Sequence, residues 1–99
     1  MTKSIFCVKW RWFDEHSKEL PSCCVTHSWY TSYRKAHAAY EKALETLYSN
    51  YPERRVESTQ PEIGFSTSDG TYELEASKVY AKPEDKSYLR VVLAAADIS

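Results

Sequence analysis

Glycine is nearly absent from this chain, with two in 99 residues. Dinucleotide-binding fingerprints and phosphate-cradling P-loops need several glycines for close backbone approach to phosphate, so both are excluded. Cysteine is almost as sparse: three residues, an odd number, with Cys23 and Cys24 adjacent. That usage argues against a disulfide framework and fits a reducing compartment, so a cytoplasmic location is expected. Long apolar runs are missing too. No stretch approaches the roughly 18 apolar residues of a membrane span, and residues 4–8 make too short a hydrophobic region for a signal peptide. No membrane partner is expected. Nor is there an excess of either charge, since 13 basic and 14 acidic residues leave a net charge of −1. This balance belongs neither to a dedicated duplex binder nor to an acidic mimic of DNA.

Aromatic residues are what the chain has in plenty: eight Tyr, three Trp and three Phe. Disordered chains lack such bulky rings, so a folded protein is expected. Its length suits a single domain, 1–99. A chain of this size buries about 60–65% of its unfolded surface, enough for one modest core.

Residues 4–13 alternate as a half-buried strand, with Phe6, Val8, Trp10 and Trp12 on one face and Cys7, Lys9 and Arg11 on the other. Residues 20–28 can return antiparallel beside them, starting at an edge because Pro21 lacks a donor. The spacing then predicts one long helix over residues 32–51, capped by Thr31 or Ser32. Tyr33, Ala36, Tyr40, Ala43, Leu44, Leu47 and Tyr51 form its apolar stripe. Pro52 is placed to end it. The Trp10/Trp12 face is the expected partner of that stripe.

Residues 53–61 are polar and bounded by two prolines, and so read as a loop. A short strand over 62–67, an Asp69-Gly70 turn and a return strand over 71–81 form a second hairpin. On the return strand Tyr72, Leu74 and Ala76 are expected inward and Glu73, Glu75 and Ser77 outward, with a bulge or the end of core burial near Lys78. A charged turn at 82–86 leads to a last strand over 88–95, with Leu89, Val91 and Leu93 facing the core. The fold class is therefore α+β, in the order ββαβββ. An antiparallel sheet carries one amphipathic helix on one face and leaves Lys9, Arg11, Glu73, Glu75 and Arg90 on an open face.

Residue spacing limits the chemistry open to this chain. Structural zinc sites use ligand pairs two to four residues apart at a turn. Cys23 and Cys24 point to opposite faces of a strand, Cys24 and His27 diverge, and Cys23 and His27 lie about 13 Å apart. No metal site or cofactor is expected from Cys7, Cys23, Cys24, His16, His27 and His37. No cysteine sits at a helix N-terminus, where its pKa would fall. The carboxylate pairs Glu73/Glu75 and Glu84/Asp85 read as surface. An enzyme needs convergent titratable groups, and none are visible, so no catalytic residues are expected.

Three surfaces remain. Arg34 and Lys35 occupy the first helical turn, the reverse of what the helix dipole favours, and with Ser32 and His37 they resemble an anion-binding arrangement. The simpler reading is that solvent, or a carboxylate such as Asp14 or Glu15, neutralises them. Lys9, Arg11 and Arg90 beside Phe13 and Tyr88 suit single-stranded nucleic acid, against which Glu73 and Glu75 work. Trp29 and Tyr30, just before the helix, have the chemistry of protein-interface anchors. The expectation is a small non-enzymatic protein-binding module, in size and style like phage or mobile-element proteins that inhibit a larger host complex. Nucleic-acid binding through the sheet face or the helix start is the alternative, and a small enzyme or ligand-binding domain comes third. An exposed edge strand would also allow a homodimer.

Overall fold

The structure, a computed structural model, describes residues 3–16, 18, 25–26, 28–61 and 70–98, without the side chains of Val25, Thr26 and Ile98. Alternating apolar residues make β1 (Lys3–Phe13), beside which lies the two-residue β2 (Val25–Thr26). The chain continues through α1 (Tyr33–Thr46), β3 (Arg55–Thr59), β4 (Tyr72–Tyr80) and β5 (Tyr88–Ile98). The order is ββαβββ, in one antiparallel five-stranded sheet arranged β2-β1-β5-β4-β3. The two long strands β1 and β5 pair along their whole length, from Lys3↔Ile98 to Phe13↔Tyr88. Such central pairing puts Val8, Leu89, Val91 and Leu93 on one face, where Ala36 and Tyr40 of α1 complete the core. Trp10 and Trp12 pack against it, as the strand period predicts.

The helix is shorter than its apolar stripe. It ends at Thr46, whose hydroxyl donates to the Lys42 carbonyl at 2.8 Å. A type II turn follows: Leu47 has φ −65° and ψ 126°, Tyr48 has φ 59°, and Ser49 N–H donates to the Thr46 carbonyl at 3.0 Å. Pro52 therefore does not end the helix. Tertiary packing of Tyr48 edge-on to Trp12, with ring centroids 5.7 Å apart, holds the turn instead. Tyr33 and Tyr51, at the two ends of the stripe, are exposed rather than core.

Tyr48 occupies a backbone conformation that usually calls for glycine, and its buried hydroxyl has no partner. Burial pushes that hydroxyl's pKa up to about 12. A raised folded pKa means stability that is complete below the ordinary tyrosine value near 10. It is lost as pH climbs from there through the folded value. Tyr48→Phe removes the orphan hydroxyl and is expected to raise stability by about 1 kcal/mol at pH 7. The variant should also lose less stability between pH 10 and 12. Urea unfolding of both proteins at neutral and alkaline pH checks both effects.

Three further expectations are corrected. Residues 53–61 contain β3, because Val56 pairs opposite Val79 and the polar residues around it suit an edge strand. The irregularity in β4 lies between Glu73 and Glu75, not near Lys78. It inserts Leu74 and reverses the faces beyond it, so Glu75, Ser77 and Val79 lie on the helix face and Ala76 and Lys78 on the other. Third, the second face of the sheet is not open: Cys7, Lys9, Thr71, Ala76, Tyr80, Tyr88, Val92 and Ala94 are all buried. Its polar residues pair with one another, Lys9 Nζ donating to Thr71 Oγ1 at 2.6 Å and Arg90 to Glu73. At one end Phe13 stacks on Tyr88 (5.5 Å), and Lys78 Nζ lies 4.7 Å over the Tyr88 ring. The expected strand at 62–67 lies outside the described residues; of the turn after it only Gly70, at φ 77°, is described.

Candidate functional site

Helix α1 crosses the sheet over β1 and β5 and leaves a groove on either flank. Each groove draws on a different stripe of the helix. Ala39, Lys42, Ala43 and Thr46 recur at three- and four-residue steps toward β1, with Lys35 one turn earlier on the same stripe. His37, Glu41 and Leu44 face β4.

The β1 groove has a volume of about 270 Å³ and is walled by Val8, Trp10, Tyr30, Ala39, Ala43 and Leu47, with Lys42 and Thr46 at its polar side. Tyr30 is fixed there by two backbone hydrogen bonds to Phe6, of 2.8 and 2.7 Å. One residue before it, Trp29 is 45% exposed. Ser32 caps the helix, its hydroxyl accepting from Lys35 N–H at 3.5 Å. Arg34 and Lys35 are exposed, and no ion pair among the described residues neutralises them. Asp14 accepts from the N–H groups of His16 and Lys18, which holds its carboxyl below the usual range. Glu15 lies 3.5 Å from Lys86. Neither carboxylate answers the helix start.

The β4 groove is polar. Glu75 accepts from the Tyr33 hydroxyl at 2.9 Å and stands 3.3 Å from His37 Nε2, whose Nδ1 is 3.6 Å from Glu41. That hydrogen bond to a carboxylate raises the Tyr33 pKa, and burial raises that of Tyr40. Tyr40 and Ser77 share a 2.6 Å hydrogen bond in the groove floor. The imidazole is thus held between two carboxylates, while the serine hydroxyl is joined to a tyrosine. This arrangement does not couple a nucleophile to a base.

Of the sequence-derived candidates, Trp29, Tyr30, Arg34 and Lys35 are brought together around the helix start. His37 belongs to the opposite flank. Lys9, 3% exposed, lies inside the molecule. Arg90 donates through Nη1 and Nη2 to both Glu73 oxygens at 2.6 Å, with the two side chains 13% and 9% exposed. Arg11 is half-buried. The sheet face therefore presents no row of exposed cations among its described residues. Cys23, Cys24 and His27 lie outside the described residues, among which no group of three or more His, Cys, Asp or Glu is placed to hold a metal. No described helix is long and apolar enough to cross a membrane.

Sequence reasoning missed Lys42 and Trp10 as groove residues and Glu75 as the partner of Tyr33 and His37. The helical step from Lys35 to Lys42 was a usable signal for the first. Glu75 had none, because its face depends on the insertion of Leu74. No protein-family model, curated protein or solved structure matches the chain.

Proposed function

We propose that this chain is a non-enzymatic protein-binding module whose docking site is the groove between α1 and β1. The observation that carries the reading is an apolar hollow walled by Trp10 and Tyr30, with Lys42 at its helical rim and an exposed Trp29 next in sequence to Tyr30. Interface energy concentrates where aromatic anchors meet desolvated pockets, and rim charges select the partner. The fitting partner presents an apolar side chain flanked by acidic residues, the first for the hollow and the others for Lys42 and Lys35. Inhibition of a larger host complex, in the manner of small phage or mobile-element proteins, is the form of binding its size suggests. The sparse, odd cysteine count supports a cytoplasmic setting for that action.

Affinity capture from host lysate with wild type and two groove variants tests the reading. Ala39→Trp fills the hollow and Lys42→Glu reverses its rim. The expected result is stoichiometric recovery of one larger protein by wild type and at least about tenfold weaker binding by either variant, both folded by circular dichroism. Equal recovery by all three overturns the groove. If no protein is recovered and oligonucleotides bind instead in a salt-sensitive way, protein recognition itself falls.

A further inference from the structure

Strand β3 is the edge of the sheet, and no described element pairs with its outer side. Arg55, Val56, Glu57 and Ser58 are all exposed, Val56 by 44%. An edge strand with open backbone donors and acceptors is a template for pairing unless charge or shape forbids it. Charge here does not forbid it; it selects a register. Val56 lies on the helix face, opposite Val79, while Arg55 and Glu57 lie on the other face, opposite Tyr80 and Lys78. The two charges are of opposite sign and two residues apart, 3.5 Å from each other.

We infer that β3 pairs antiparallel with β3 of a second copy of this chain, about a two-fold axis through Val56. That register sets Val56 against the partner's Val56. Arg55 then faces the partner's Glu57, and Glu57 faces the partner's Arg55. Residues directly opposite in an antiparallel pair share a face and interact, so both ion pairs and the valine contact form together. A shift that keeps both helices on the same side moves the axis by one residue. It then sets Glu57 against Glu57 or Arg55 against Arg55, which repel. The axis at Val56 is thus the only nearby register of this kind in which both charges are answered. Each pair also continues an interaction already in the sheet, since Arg55 lies 4.2 Å over the Tyr80 ring and Glu57 stands opposite Lys78. The result is a continuous ten-stranded sheet, two copies of five strands, with both helices on one side. This interface is on a different edge from the α1–β1 groove and stands or falls independently of it.

Sedimentation equilibrium of the full chain tests the inference. Wild type is expected to show a reversible monomer–dimer equilibrium, and Glu57→Arg to weaken it about tenfold or more, since two like-charge pairs replace two opposite ones. The exchange Arg55→Glu/Glu57→Arg restores complementarity and should restore the dimer. A wild type that stays monomeric throughout, or an exchange that fails to rescue a folded protein, overturns it. Register is read separately by oxidation. Val56→Cys places two thiols about 5 Å apart by Cα across the axis and should give a covalent dimer above the wild-type background. Ser58→Cys, whose copies are several residues apart in this register, should not. Cross-linking through Ser58→Cys in place of Val56→Cys would sink the proposed axis.

Discussion

Glu73→Ala is expected to destabilise the protein by about 3–5 kcal/mol, because it leaves the Arg90 guanidinium largely buried without its carboxylate. The pair is bidentate, with both bonds at 2.6 Å and both side chains nearly out of water. Such a pair is not a large net gain over an apolar one, since desolvating two charges offsets most of their attraction. Breaking it is another matter: one charge keeps its desolvation cost and loses its compensation. The contact of Arg90 Nη2 with the Gln60 carbonyl, at 3.3 Å, is too long to replace two short charge-assisted bonds. A domain of this class has a total stability of about 5–15 kcal/mol, so the single variant approaches the limit of folding. Replacing both partners, as Glu73→Leu/Arg90→Met, should return stability to within about 1 kcal/mol of wild type or above it. Urea midpoints of the three proteins decide the matter; a mild effect of Glu73→Ala would show that the charge is compensated by water or by another group.

Leu93→Ala carries the other large expected loss, about 3–4 kcal/mol. Leu93 is fully buried, in the middle of the central strand, between Val8 of β1 and Glu75 of β4. It belongs to the cluster in which Ala36 and Tyr40 bring the helix onto the sheet. Those strands are paired on both sides and cannot close over the space left by three carbon atoms. The cost therefore includes a cavity as well as lost burial. Val56→Ala removes an aliphatic side chain from an exposed edge and should fall within about 0.5 kcal/mol in a dilute, monomeric sample. Equal losses at the two sites, measured by urea unfolding, would contradict the placement of the core.

Legibility in the sequence followed the range of the forces involved. The alternation of Phe6, Val8, Trp10 and Trp12 and the three- and four-residue steps from Ala36 to Leu47 are local patterns, and both survive in the structure. The face assignment in β4 did not survive, since a single inserted residue, Leu74, changes the parity of everything beyond it. β3 was hidden because an exposed edge strand has no buried face to impose alternation. The candidate site divided in the same way. Trp29, Tyr30, Arg34 and Lys35 are near one another in sequence and remain together in space. Lys9 and Arg90 read as an open basic face, yet their partners, Thr71 and Glu73, are 62 and 17 residues away.

By itself, then, the amino-acid sequence determined an α+β chain with one amphipathic helix, its contact face with β1, and a cationic helix start with aromatic residues before it. These rest on side-chain periodicity and local charge, which a short window contains. Only the tertiary structure decided where the helix stops, which way Glu75 points, that the second sheet face is buried, and that grooves of opposite character flank the helix. Each of those is set by residues distant in the chain competing for the same space and the same hydrogen bonds, and no local pattern records the outcome.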